Sequence, residues 1–273
     1  MIKFRNLIRS IRPDILHVHC ERPEFIVAFM AITRMLGPIP IVVTEHSRRQ
    51  WNSHPFIGRM VRLILRRHGA SFISCYKKNG VPLIRNPLHV SETPKERVSA
   101  ASRLLVVGRL SASKRVNRIL DAVNNSARDM PILVIGDGPL KRQLKKQASQ
   151  LGLNVEFAGF QPEPWRLAKA GDLVVSASAY EGEPLSVVEA LANGLPVLLS
   201  DIDAHRELVN DSTFMLFSSV RELARKIADA RIMNGLEEFY LSSSSVSSLI
   251  HERDPQFIAD QWVSIYSRVL ARA

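Results

Sequence analysis

The sequence predicts an α/β protein of two doubly wound domains, and three observations carry that prediction. Short apolar runs rich in Val, Ile and Leu alternate with amphipathic stretches along most of the chain, the pattern of parallel strands covered by helices. A polar, Pro-containing segment, SETPKERVS at 91–99, interrupts the alternation and reads as a linker. With 273 residues, 46% apolar and 23% charged, the chain has the length for two ordinary domains and a normal globular composition.

The first domain occupies residues 1–90. Residues 1–12 form a basic amphipathic helix, in which Ile2, Phe4, Leu7, Ile8 and Ile11 alternate with Lys3, Arg5, Arg9 and Arg12. A strand, DILHVH, follows and ends at His19, then a helix from about Pro23 to Leu36. The strand IPIVVTEH ends at His46, RRQWNSHP is a polar loop, and FIGRMVRLILRR is a second basic amphipathic helix. ASFISCY and VPLIR read as two further strands, giving a first sheet of about four. His17 and His19 lie two apart on one strand and so share a face. With Cys20, Glu45 and His46 they gather near two strand ends. A zinc site there needs further converging ligands, so the preferred reading is a polar wall with His46 toward a ligand, and no metal.

The second domain occupies residues 100–250. SRLLVVGRL is a buried strand ending at Gly108 and Arg109, and a helix follows from about Val116 to Val123. PILVIG is a strand, Asp137-Gly138-Pro139 opens the helix KRQLKKQASQL, NVEFAGF is a strand and PWRLAKA a short helix. DLVVSAS leads directly into EGEPLSVVEALANGLPVLLSD, residues 181–201. There Pro184 suits a first helical position, Leu185, Val188, Leu191 and Ala192 make an apolar stripe, Gly194 stops the helix and Pro196 opens the strand PVLLS. Such a helix start aims free N–H groups at whatever the loop borders, with Glu181 in the loop and Glu189 on the helix. A short helix near Ala204–Leu208, the strand TFMLF and helices through about Phe239 bring the second sheet to six strands. The serine-rich LSSSSVSSL reads as a loop, and residues 251–273 end in an amphipathic helix.

Charge is distributed unevenly. Residues 1–90 hold 15 Lys/Arg against 4 Asp/Glu, which accounts for the whole net charge of +11, because the remaining 22 and 22 cancel. A lobe so basic suits an anionic membrane surface or glycolipid; nucleic acid fits less well, since no helix-turn-helix, zinc finger or aromatic-basic RNA motif is present. Two cysteines make no disulfide framework. No apolar run reaches the ~18 residues of a membrane span, and MIKFRNLIRSIRP lacks the apolar core of a secretory signal, so the expected location is cytoplasmic and peripheral to the inner membrane.

Four ordered motifs now carry a resemblance. VGRLSASKR at 107–115, VIGDGPLKRQL at 134–144, VEFAGF at 155–160 and SAYEGEPLSVVEALANGLPVLLSD at 178–201 are similar in order and spacing to glycosyltransferase family 4. IRNPLH at 84–89 resembles the segment joining that family's two domains; PDILHVHC and IVVTEH resemble the second half of its first domain, and the last helix the one that crosses back to it. The resemblance implies a GT-B fold, two Rossmann-like domains facing a crevice. The first is shortened here: only about a dozen residues precede its first strand, and the family's glycine-rich loop is missing.

The resemblance also implies roles. Glu181, the first Glu of the EX7E motif, would contact the donor sugar, and Glu189, the second, the ribose hydroxyls. Arg109 and Lys114 would hold the diphosphate, backbone near Gly159 and Phe160 the base, and backbone N–H groups of Gly182, Glu183 and Leu185 the sugar hydroxyls. His46 would point at the donor. The sequence departs from the family at Arg115, where Gly is usual, at Glu183, where an apolar residue is usual, and at Pro184, where Gly is frequent. The implied activity is retaining transfer from a UDP- or GDP-sugar, without metal or other cofactor, to a glycan or lipid-linked acceptor of a bacterial surface polysaccharide. The alternatives are an inactive nucleotide-sugar-binding remnant or partner subunit, and a sugar-nucleotide epimerase.

Overall fold

The computed structural model of the chain describes residues 2–48, 50–88, 90, 95–210, 212–232 and 235–272. The chain divides into two compact units, residues 1–87 with 252–273, and residues 88–251.

The first unit runs α1 (Ile2–Ile11), β1 (Leu16–His19), α2 (Glu21–Ile32), β2 (Ile41–Glu45), α3 (Pro55–Arg67) and β3 (Ser71–Ser74). The strands are parallel in the order β1-β2-β3. Successive side chains of a strand point to opposite faces. Val18, Ile41 and Val43 therefore pack with α1, α2 and α3 on one side, and Val42 and Ile73 face the other.

The second unit runs β4 (Arg103–Val107), α4 (Val116–Ser126), β5 (Ile132–Ile135), α5 (Lys141–Leu151), β6 (Val155–Gly159), β7 (Asp172–Ser176), α6 (Leu185–Ala192), β8 (Val197–Ser200), α7 (Asp203–Leu208), β9 (Leu216–Phe217), α8 (Val220–Arg231) and α9 (Ser243–His251). The last helix, α10 (Pro255–Leu270), returns to the first unit, where Ile258, Ile265 and Val269 bury against Val42, Ile73 and Ile84. Six parallel strands lie in the order β6-β5-β4-β7-β8-β9. Leu104, Val106, Ile132, Val134, Leu173 and Val175 meet α4, α5 and α8, while Leu105, Leu133, Val174, Val197 and Leu199 meet α6, α7 and α9. Both faces are covered, so the strands read as continuous apolar runs. The strand order reverses between β4 and β7, and open sheets of this kind bind ligands outside the strand carboxyl ends at that point.

Three local expectations need correction. Residues 81–85 are not a strand: one bridge joins Ser74 to Leu83, because Pro82 has no N–H to extend a ladder, and the first sheet has three strands among the described residues. The serine-rich segment is helical from Ser243 onward, since Val246, Leu249 and Ile250 recur at helical spacing and pack onto α6, and burial outweighs the weak helix propensity of serine. Pro184 stands before α6, at ψ 77, and the helix starts one residue later. Of the linker expected at 91–99, residues 91–94 lie outside the described residues. Lys95, Arg97 and Val98 are fastened to the second unit through Asn193 O, Leu241 O and the Tyr240 hydroxyl.

Candidate functional site

The second sheet builds its switch point from backbone pressed on backbone. After β4 and β5 the chain passes through Gly108 and Gly136, at φ 147 and 145. A Cβ on Gly136 would lie 1.9 Å from the Gly108 carbonyl oxygen, so only glycine fits. The Gly108 N–H donates to Ile135 O at 3.0 Å, Gly136 N–H to Gly159 O at 2.7 Å, and Leu110 N–H to Asp137 O at 2.9 Å. These bonds lace the ends of β4, β5 and β6 into one rim.

Arg109 and Lys114 stand on that rim. Arg109 is exposed, and its guanidinium has no hydrogen-bond or ion-pair partner among the described residues. Lys114 closes a single 3-10 turn, Ala112–Lys114, and Arg115 follows in the left-handed region at φ 49. That conformation is why glycine suits position 115. The Ala179 N–H donates to Ser113 O at 2.7 Å, tying the loop after β7 to the loop after β4. Across this tie the Lys114 ammonium meets Glu181 Oε1 at 2.6 Å, their side chains 25% and 14% exposed. The pair is partly shielded from water yet reachable, so an arriving anion can compete for the lysine.

Glu189 lies on α6, half-buried, where the buried Trp165 indole donates to its Oε2 at 2.9 Å. Burial raises its pKa above the usual value, against the opposing pull of that indole hydrogen bond. Oε1 has no hydrogen-bond partner among the described residues and can accept from a hydroxyl. Gly182 and Glu183 are buried; the Leu185 N–H is bonded to Glu183 O at 3.0 Å and Pro184 has no donor, so neither offers one in this state. The Gly159 carbonyl is taken by Gly136, while Phe160 leaves 75% of its surface exposed.

The family that these features meet is the glycosyl transferases group 1 family, which matches residues 94–237. The chain belongs to that family. It is 32% identical over 137 residues to the alpha-monoglucosyldiacylglycerol synthase of Streptococcus pneumoniae, a match covering 47% of this chain and 31% of the relative. It is 27% identical over 233 residues to the putative glycosyltransferase EpsF of Bacillus subtilis, covering 72% and 60%, respectively. It is 30% identical over 132 residues to the lipopolysaccharide 1,6-galactosyltransferase of Salmonella typhimurium, covering 44% and 36%. The chain thus spans from about a third to three fifths of these relatives' lengths. Among solved structures, Anabaena Alr3699/HepE in complex with UDP-glucose superposes with a TM-score of 0.80 at 20% identity, over 98% of this chain and 81% of that one. S. aureus TarM, in a complex containing UDP, gives 0.72 at 17%, over 96% and 58%. These likenesses establish the α/β fold as the GT-B kind.

Two residues of this group 1 chain escape motif reasoning. Trp165, in the 3-10 turn Pro164–Leu167, supplies the donor to Glu189 from 24 positions away. His205, on α7, is fully buried, and its Nδ1–H donates to Ser200 O at 2.8 Å. The Ser200 hydroxyl donates to Ser178 O at 2.6 Å, and Ser176 Oγ lies 3.5 Å from His205 Nε2. Burial holds the His205 pKa down at about 4, so the ring is neutral and knits the ends of β7 and β8 beneath Glu181 and Lys114. The only signal in the sequence is a serine at the end of each of these buried strands.

His46 belongs to the first unit. Its Nε2 hydrogen-bonds His19 Nδ1 at 2.9 Å, and Cys75 Sγ lies 3.9 Å from its Nδ1. His17 and His19 do share a face, ring centroids 4.1 Å apart. His17 bonds Thr44 Oγ1 at 2.7 Å and the Tyr266 hydroxyl at 2.8 Å, and its ring centroid lies 4.7 Å from that of Trp262 at a tilt of 49°. Burial and the neighbouring imidazoles lower the His17 pKa to about 4, and burial lowers that of His19. Glu45, grouped with these histidines by sequence, is instead buried in ion pairs with Arg62 and Lys78. The described residues contain no group of three or more His, Cys, Asp or Glu placed to hold a metal ion.

Proposed function

We propose that the chain is a retaining glycosyltransferase of family 4 that transfers a sugar from a UDP- or GDP-sugar to a glycan or lipid-linked acceptor. The observation that carries this reading is the Lys114–Glu181 pair on the rim of the switch point, with Arg109 exposed beside it. Glu181 and Glu189 are the two carboxylates of the EX7E motif. A diphosphate arriving at the rim draws Lys114 and Arg109 onto its oxygens and leaves Glu181 to accept from the donor sugar's hydroxyls. The two cations then stabilise the charge that gathers on the leaving nucleoside diphosphate as the glycosidic bond breaks. Glu189, oriented by Trp165, takes the ribose hydroxyls through Oε1. The departing phosphate receives the acceptor's proton, so no side-chain nucleophile is needed, and the cations supply the countercharge without a metal. By the family resemblance, His46 is a further residue that contacts the donor.

The acceptor belongs to a bacterial surface polysaccharide, such as lipopolysaccharide, O-antigen or capsule, and the chain works at the cytoplasmic face of the inner membrane. Relatives named for glycolipid and lipopolysaccharide transfer support the acceptor class, and the basic first lobe supports the membrane surface. No helix among the described residues is long and apolar enough to cross a membrane.

Thermal unfolding with UDP, GDP and ADP tests the reading, since a ligand at 100 times its Kd stabilises by about 2.7 kcal/mol. UDP or GDP should raise the melting temperature of the wild type and leave Glu189→Ala nearly unmoved; equal shifts in both would remove Glu189 from the site. Donor turnover with a glycan acceptor completes the assignment. Binding without turnover would leave a nucleotide-sugar-binding subunit, and donor conversion without an acceptor an epimerase.

A further inference from the structure

The helical layer of the first unit exposes what a water-facing surface avoids. Residues 25–32 of α2 are eight consecutive apolar residues, and only part of them is used by the core: Val27, Ala28, Met30 and Ala31 are buried. Phe25, Phe29 and Ile32 are 48%, 39% and 57% exposed, at spacing i, i+4, i+7. The neighbouring α3 buries Gly58, Val61 and Leu65, and exposes Phe56, Met60 and Leu63 at the same spacing, Phe56 by 74%. Each helix therefore carries a second apolar stripe besides the one on the core, and the two helices pack on each other against one face of the sheet. Exposed apolar stripes on two helices packed together are the kind of feature that marks an interaction surface.

Charge decides what covers it. Four acids occur in residues 1–90, and three are turned to internal use. Glu21 accepts the Trp51 N–H, the buried Glu24 accepts the Trp51 indole, and the buried Glu45 pairs with Arg62 and Lys78. Arg22, Arg34, Arg59, Arg66 and Arg67 stay exposed on α2, α3 and their ends. Across the sheet, α10 and its start expose Asp254 and Asp260. A second copy docking face to face would oppose like charge with like, because a two-fold interface pairs a patch with itself. Aliphatic Ile32, Met60 and Leu63 suit acyl chains rather than nucleobases.

We propose that the outward side of α2 and α3 is a membrane-insertion face, its two stripes entering the headgroup–acyl boundary of an anionic bilayer while the arginines hold the lipid phosphates. The proposal rests on the reading that the chain works at an anionic membrane, and adds that binding is set by apolar insertion as well as charge.

Co-sedimentation of the full chain with phosphatidylcholine vesicles, with and without phosphatidylglycerol, tests it. The wild type should bind the anionic vesicles and keep part of that binding in 1 M NaCl, where the screening length falls to about 3 Å. Phe25→Ser with Phe29→Ser, and separately Phe56→Ser with Met60→Ser, should each weaken partition roughly tenfold or more with the melting temperature unchanged. Brominated lipids should quench Phe56→Trp beyond the wild-type level. If the stripe variants bind like the wild type and only Arg59→Gln with Arg67→Gln loses binding, the surface is electrostatic alone and insertion is overturned while the membrane reading stands. No binding to either vesicle overturns both. A concentration-dependent dimer that the stripe variants make monomeric would assign the patch to self-association and overturn the proposal.

Discussion

The two units of this chain end their parallel strands in opposite chemistry. The second gathers charge at its switch point: Lys114 against Glu181, Arg109 beside them, and Glu189 half-buried on an indole. The first ends its strands in imidazoles: His17 lies against the His19 ring and bonds Thr44 and Tyr266, and His19 bonds His46. An ion pair can exchange a partner for an incoming phosphate, whereas rings already held by their neighbours can orient a ligand with little rearrangement. The contrast suits one unit for gripping an anion and the other for lining a wall. A histidine of lowered pKa recurs in both, since His17 and His205 are each held near a pKa of about 4.

The sharpest way to break this contrast is to spoil the rim that carries the charges. Gly136→Ala would drive a Cβ into the Gly108 carbonyl at a φ that L-residues rarely adopt. We expect a loss on the order of 3 kcal/mol or more in urea unfolding, and nucleotide binding to go with it. Wild-type stability in the Gly136→Ala variant would show the rim to be pliant.

Next in size is the charge itself. Lys114→Ala and Arg109→Ala should each weaken nucleoside diphosphate binding by about 1.5–3 kcal/mol by calorimetry, and leave the bare nucleoside almost unaffected. Equal losses for both ligands would place these cations away from the phosphates.

Acid distinguishes the histidines. His205 and His17 have native pKa values near 4 against an ordinary 6.5, so the unfolded chain binds their protons first. Their contribution is complete above pH 6.5 and is lost as pH falls from there toward 4. For the fully buried His205 this amounts to roughly 3 kcal/mol, and less for the half-buried His17. His205→Phe and His17→Phe should each flatten the acid limb of stability against pH; an unchanged limb would move the titration elsewhere.

The smallest effect concerns Glu189, whose raised pKa means that it protonates at a higher pH than an ordinary glutamate. That shift adds stability below the usual carboxyl pKa, which is lost as pH rises through the native value. On the proposed reading ribose binding needs the ionised form and so runs the other way, and nucleotide affinity should fall as pH drops through that native value. Trp165→Phe removes the donor that opposes the shift, and should move the midpoint upward and weaken binding by about 1 kcal/mol. A midpoint that stays put would mean that the indole does not reach the carboxylate in solution.

Much of this was legible in the chain. The second sheet's strands and the glycine stops could be read because period-2 and period-3.6 patterns and backbone sterics are local properties, written in neighbouring residues. Glu181 and Glu189 could be singled out from a loop-and-helix spacing, and Arg109 and Lys114 from the resemblance of their motif to a known family. What could not be read depends on partners distant along the chain. The Trp165 bond to Glu189, the His205 network, the helix hidden in a serine run, and the missing fourth strand beyond Pro82 all follow from which surfaces meet. The twin stripes of α2 and α3 make the same point, because apolar spacing shows that a helix has an oily side but not which side the core will use. Sequence determined the periods, the turns and the charges; tertiary packing decided which of those groups are shielded from water, and shielding sets both their pKa values and their reach.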